Sequence, residues 1–129
     1  MAIGCNAKGG NESIALGYNA LTEYQQYCIA IGNNANVNGD GGVAIGYNPS
    51  SMFQSIAIGN AAIIQGASAI QLGTGTNSNE YTLQVWDHTL LNKETGLIPP
   101  ERLGTGYDSS QRQVLVNNYG TLTWETYNG

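Results

Sequence analysis

Charge is what this chain has least of. Only 10% of its 129 residues are Asp, Glu, Lys or Arg, where about a quarter is usual in a globular domain. Lys8, Lys93, Arg102 and Arg112 are the only strong cations, and the net charge is -5. No basic stripe exists to neutralise phosphates, which argues against nucleic acid as a partner. No apolar run approaches the roughly 20 residues that span a bilayer, so no membrane insertion is expected. Met1 leads into the body of the sequence without the pattern of an export signal.

Reactive side chains are equally scarce. The two cysteines, Cys5 and Cys28, fall at different phases of the pattern described below, so they are read as small packed or surface thiols rather than as a disulfide within the chain, with an interchain bond as the alternative. His88 is the single histidine, and its neighbour Asp87 would point to the opposite face of a strand. Glu80, Asp87, Glu94 and Glu101 fall seven apart, but turn residues interrupt the segment, so the spacing does not set two carboxylates at a glycosidase separation. The stretch Asn38-Gly-Asp-Gly-Gly42 lacks the several carboxylates of a calcium loop and reads as a plain turn. The expectation is no catalytic residue, no metal and no cofactor.

What the chain does have is glycine in register. A phrase of the form small-Ile-Ala-Ile-Gly recurs with its glycines at Gly4, Gly17, Gly32, Gly46, Gly59 and Gly73, spaced 13 to 15 residues apart. A fixed short period means one unit stacked on copies of itself, none able to bury its apolar face alone. Aligned on the glycines, Met1, Ile14, Ile29, Val43, Ile56 and Ile70 stand three places before, and Ile3, Leu16, Ile31, Ile45, Ile58 and Leu72 one place before. Between them lie Ala2, Ala15, Ala30, Ala44 and Ala57, with Ser13, Cys28, Gly42, Ser55 and Ala69 two residues earlier on the same side. This is the alternation of a short strand with two buried faces. One face meets bulky neighbours; on the other, a second backbone approaches so closely that only small side chains fit.

Asn6, Asn19, Asn34 and Asn48 occupy the second place after the glycine, followed by Ala7, Ala20, Ala35, Pro49 and Ala62. Glycine and asparagine tolerate the positive φ of a tight reversal. A less regular second strand follows, with Val37 and Ile64 sharing a column with Thr22 and Ser51. Two strands in about fourteen residues make one turn of a parallel β-roll or solenoid, rising about 4.8 Å per turn. Such a slender column has little core, and self-association with three-fold closure is the economical way to cover its flank.

The phrases Ser13-Ile-Ala-Leu-Gly17, Gly42-Val-Ala-Ile-Gly46 and Ser55-Ile-Ala-Ile-Gly59, with their Asn-Ala turns, resemble the head repeats of trimeric autotransporter adhesins of the YadA type. The resemblance covers roughly residues 1 to 73. It implies an all-β fold, a left-handed parallel β-roll, assembled as a homotrimer and serving attachment at a surface. Gln71 replaces the repeat alanine and marks where the roll stops. From there Ile70-Gln-Leu-Gly-Thr-Gly-Thr-Asn-Ser-Asn79, Thr82-Leu-Gln-Val-Trp86 and Thr95-Gly-Leu-Ile-Pro-Pro-Glu-Arg-Leu103 look like the end of the array in phage fibre proteins that use this head module. The closing Val114-Leu-Val-Asn-Asn-Tyr-Gly-Thr-Leu-Thr-Trp124 is similar to hairpins of phage tail fibres.

An adhesin head would continue into a heptad coiled coil. Leu83, Leu90 and Leu97 are seven apart, but Gly96, Pro99 and Pro100 interrupt a helix. The expected organisation is a β-roll over residues 1–85, a connector over 86–106 and a C-terminal β-hairpin over 107–129. In the hairpin Gln113 to Val116 pairs with Thr121 to Tyr127, and Leu122 and Trp124 face a partner surface.

The resemblance implies a virion-surface or extracellular fibre that docks on other virion proteins through one end and meets a host-surface glycan or protein. The alternatives are the head of a bacterial adhesin and a polysaccharide-degrading fibre tip. Tyr18 and Tyr47 share the place after the glycine, and Tyr24, Tyr27 and Phe53 lie in the return segments. Presented three times, these aromatics are the candidate host contacts. Packing over neighbouring turns or between subunits is the other role, and the commoner one, for such side chains.

Overall fold

The computed structural model describes residues 1–92, 113–118 and 121–126. The chain divides into two units, Met1–Pro99 and Pro100–Gly129. Regular structure among the described residues is entirely β. The first unit contains β1 (Ala2–Ile3), β2 (Ile14–Leu16), β3 (Ile29–Ile31), β4 (Asn36–Val37), β5 (Val43–Ile45), β6 (Ser50–Ser51), β7 (Ile56–Ile58), β8 (Ala62–Ile64), β9 (Ile70–Leu72), β10 (Gly75–Asn77), β11 (Thr82–Val85) and β12 (His88–Asn92).

These strands form two walls of one coil. The first wall is an eight-stranded sheet in the order β1-β2-β3-β5-β7-β9-β11-β12, and the second a four-stranded sheet in the order β10-β8-β6-β4. Every pairing is parallel except β11 with β12. The expected parallel β-solenoid is therefore the observed fold. In the earliest turns the second wall is reduced to single bridges, Lys8 to Leu21 and Leu21 to Asn36.

Register follows the glycine alignment residue for residue. Ile14 pairs with Ile29, Ile29 with Val43, Val43 with Ile56, Ile56 with Ile70 and Ile70 with Leu83. Ala15, Ala30, Ala44 and Ala57 consequently stack in one column, and all are completely buried. The facing wall contributes Thr22, Val37, Ser51, Ile64 and Asn77, also buried. The close approach inferred from the alanine column is thus made by the opposite wall of the same coil.

The branched aliphatics behave differently from expectation. Because alternate residues point to opposite faces, turning the alanines inward turns these side chains outward. In the single chain they are only partly covered: Ile3 is 53% exposed, Ile58 39% and Leu72 37%, and Ile14, Ile29, Ile31, Val43, Ile45, Ile56 and Ile70 are partly buried. The interior is only a methyl group wide on this wall, so the bulky ladder has nowhere to go but outside.

Gln71 does not stop the roll. It keeps register with Ala57 before it and Gln84 after it, and the parallel stack continues through β11. The amide is accommodated because Nε2 donates to the carbonyl oxygens of Trp86 at 2.8 Å and Gly73 at 3.2 Å. Parallel stacking ends one turn later. There β12 turns back antiparallel along β11, with a register shift between Leu83 and Gln84, and shields an edge that would otherwise offer unpaired backbone groups.

In the second unit, β13 (Gln113–Asn118) and β14 (Thr121–Thr126) form an antiparallel pair running from Gln113 opposite Thr126 to Asn118 opposite Thr121. The first strand is two residues longer than the expected Gln113 to Val116. Tyr127, the side chains of Leu122 and Trp124, and the connector residues 93–106 lie outside the described residues.

Candidate functional site

The roll offers four surfaces: two outer sheet faces and the two edges where the chain turns. On the outer face of the eight-stranded sheet, two parallel ladders of aliphatics stand side by side. One runs Ile14, Ile29, Val43, Ile56, Ile70, Leu83, and the other Ile3, Leu16, Ile31, Ile45, Ile58, Leu72, Val85. No polar side chain interrupts either ladder. The outer face of the four-stranded sheet is mixed and largely polar, with Lys8 paired to Glu23 at 3.1 Å, Asn38 donating to Ser50 and Ser78 donating to Gln65. The contrast singles out the aliphatic face as the continuous apolar surface of the roll.

The first edge follows the glycine column. The backbone there is held at a φ only glycine adopts with ease, +128° at Gly32, and a Cβ on Gly32 would overlap the carbonyl oxygen of Gly46. Each turn then places Asn6, Asn19, Asn34 or Asn48 in the left-handed region at φ 53–57°, as the turn chemistry predicts. The side chains add a ladder of their own: Asn19 Nδ2 donates to Asn34 Oδ1 at 3.1 Å and Asn34 Nδ2 to Asn48 Oδ1 at 2.9 Å. Beside it Tyr18, Asn33 and Tyr47 occupy one column on successive turns, and the tyrosines are 50% and 54% exposed.

The second edge connects the walls in the other direction. It carries Tyr24, Tyr27 and Phe53, all exposed, so the five candidate aromatics are not one site but two groups on opposite edges. Three exposed carboxylates, Glu12, Asp40 and Glu80, share this second edge. Asp40 Oδ1 accepts from the N–H of Gln26, on the preceding turn of the coil, at 2.8 Å and so ties the two stacked turns together. The segment Asn38–Gly42 is a turn, closed by the Gly42 N–H donating to the Gly39 carbonyl at 3.2 Å.

A feature missed in the sequence lies on this edge. Glu12, Tyr27, Gln54, Ser68 and Tyr81 all have φ between 50 and 58°, with Gly41 at 70° in the same column. The column is as regular as the asparagines, yet only Gly41 signals it, because the other residue types share no preference for that conformation.

The chemistry of the remaining candidates is sparse. Asp87 and His88 are both exposed. No group of three or more His, Cys, Asp or Glu among the described residues is arranged to hold a metal ion. Cys5 is exposed and Cys28 buried, both as free thiols, and the Cys28 thiol reaches the Gln26 carbonyl at 3.1 Å. Glu94 and Glu101 lie outside the described residues.

Fold and surface together define a parallel β-roll repeat protein, an architecture of structural, adhesin-like modules. Residues 9–23 and 29–48 match the YadA head domain repeat in two copies, so these turns of the roll are similar to YadA head repeats. No curated protein and no solved structure matches the chain.

Proposed function

We propose that this chain is a homotrimeric, non-enzymatic fibre or decoration module displayed outside a bacteriophage virion, where it supports attachment to the host surface. The observation that carries the trimer is the paired aliphatic ladder. An interior lined mostly by small side chains, with Val37 and Ile64 its largest aliphatics, stabilises the roll weakly, while most of the larger apolar side chains stand outside it. Burying apolar surface is the main favourable term in association, and closure among three copies covers the face without leaving an open edge for further growth. YadA-like heads are surface-exposed and trimeric, which supports the same assembly.

The virion assignment rests on the resemblance of the segments after Gly73 to phage fibre ends. In this reading residues 1–85 are the exposed roll, 86–106 a segment whose first part, Trp86 and β12, closes the roll and whose remainder is a connector, and 107–129 a hairpin that docks the module on other virion proteins. Sedimentation equilibrium tests the assembly: a trimer of 13.6 kDa chains is expected, and a stable monomer refutes it. Neighbouring genes for capsid or tail proteins support the phage setting, whereas an export signal and membrane anchor in the parent gene favour a bacterial adhesin. A reducing-end assay on host glycan tests the hydrolase alternative, with no release expected.

A further inference from the structure

We propose that the first edge of the roll, formed by Tyr18, Asn33 and Tyr47 beside the ladder Asn19–Asn34–Asn48, binds an uncharged glycan chain lying along the roll axis. The inference deepens the attachment reading and rests on it for the setting in which such a glycan is met.

Three observations converge on this ligand class. The first is charge. Between Cys5 and Thr74, the residues that immediately follow each column glycine on this edge include no Asp, Glu, Lys or Arg: they are Cys5 and Asn6, Tyr18 and Asn19, Asn33 and Asn34, Tyr47 and Asn48, Asn60 and Ala61, and Thr74. The opposite edge carries Glu12, Asp40 and Glu80 among its aromatics. An anionic polymer gains no counter-charge at the first edge and is repelled at the second. A neutral one loses nothing by burying against the first.

The second observation is spacing. Tyr18 and Tyr47 stand two turns apart in one column, which is about 10 Å along the axis at the usual strand separation. One pyranose ring is about as long as one turn is tall, so alternate sugars of a linear chain meet the two rings while the intervening sugar meets Asn33. Half-exposed aromatic rings supply apolar faces to the C–H side of a sugar at low entropic cost.

The third is preorganisation. The asparagine side chains are fixed in one orientation by a shared backbone φ and by each other. Within the ladder Asn34 uses one donor hydrogen and one acceptor lone pair, Asn19 one donor hydrogen and Asn48 one acceptor lone pair, leaving the rest for hydroxyl groups. The backbone behind them is clamped as well: Asn34 N–H donates to the Tyr18 carbonyl at 2.8 Å, and Ala61 N–H to the Tyr47 carbonyl at 2.8 Å. A rigid array avoids the ordering cost that weakens contacts with flexible side chains.

The test uses the whole chain on an array of neutral hexasaccharides (cello-, malto-, chito- and manno-oligomers) beside uronic-acid and sialic-acid oligomers. Binding to at least one neutral series and to no acidic series is expected. Tyr18→Ala and Tyr47→Ala should each weaken it by about tenfold or more, with Tyr18→Phe nearly unchanged and Tyr27→Ala, on the other edge, without effect. Silence on every neutral glycan, binding to acidic oligomers alone, or indifference to both alanine variants overturns the proposal. So does a change of oligomeric state in either variant by sedimentation, since the tyrosines would then be packing between copies. A monomer that binds through these tyrosines keeps this inference and refutes the trimer, whereas a trimer that binds no neutral glycan does the reverse.

Discussion

The indole of Trp86 closes over Gly73. A Cβ on Gly73 would lie 2.9 Å from Trp86 Nε1 and 3.0 Å from Cδ1, so the last glycine of the column leaves room for a ring where earlier glycines leave room for the next backbone. Trp86 occupies the following turn's glycine position with φ 55°. Its backbone is held there from both sides. The N–H donates to the Leu72 carbonyl at 2.8 Å, and its own carbonyl accepts from Gln71 Nε2 and Gln84 Nε2, each at 2.8 Å.

Trp86→Ala should therefore leave the turn in place and uncover it. The ring is 62% exposed, so little apolar area is lost and the global cost should be about 1 kcal/mol. The local effect should be larger. Hydrogen exchange at the Gly73 and Trp86-position amides should accelerate more than at Gly32, while a uniform change along the roll would show that the ring is not a local lid.

Gly41 and Gly32, on opposite edges, separate two reasons for needing glycine. Gly41 has φ 70° with nothing closer to an added Cβ than the Gln54 side chain at 3.6 Å, whereas Gly32 has both an unfavourable φ and the Gly46 carbonyl in the way. Gly41→Ala should cost about 1 kcal/mol, the ordinary penalty of the left-handed region. Gly32→Ala should cost about 3 kcal/mol or more, because two stacked backbones must separate. Chemical denaturation of the two variants measures the difference, and equal costs would mean that φ alone sets the requirement.

The asparagine ladder stops where the sequence breaks it. Ala61 takes the asparagine place on the next turn at φ 51°, with its N–H bonded to the Tyr47 carbonyl. Ala61→Asn relieves an alanine in the left-handed region and gives Asn48 Nδ2 an acceptor. Stabilisation by about 0.5–1 kcal/mol is expected from the added hydrogen bond and the better backbone preference. An unchanged or lower melting temperature would argue that the ladder follows the turns without strengthening them.

How legible the structure was depends on whether a position restricts chemistry. Ala30 and Gly32 announced themselves because only a methyl group or a hydrogen fits where they stand, and Asn34 because its backbone angle favours its side chain. Tyr27 and Gln54 hold the same kind of backbone angle without any preference for it, since the register of the stack imposes it on them, and no composition signal results. Gln71 was misread as a terminator for the opposite reason. An amide in an alanine column looks like a break until the carbonyls of Gly73 and Trp86 come within its reach. The candidate aromatics were visible by type, but their division between a neutral and an acidic edge needed the connectivity of the two walls.

The direction of the aliphatic ladder yields the sharpest test of assembly. Ile45 is flanked in register by Ile31 and Ile58 near the middle of the outer face. In an isolated roll, Ile45→Glu exposes its carboxylate to water and should cost no more than about 1 kcal/mol, within the range for surface changes in strands. In the proposed trimer the same substitution brings three carboxylates into an apolar interface, where an unpaired buried charge is far more costly. The variant should therefore sediment as a folded monomer with the parent's β-type circular dichroism. Ile63→Glu serves as the control: it projects from the outer face of the opposite wall, where Ile63 pairs with Ser50 and Thr76, and should leave the trimer intact. Dissociation by both variants, or by Ile63→Glu alone, would move the interface off the aliphatic face.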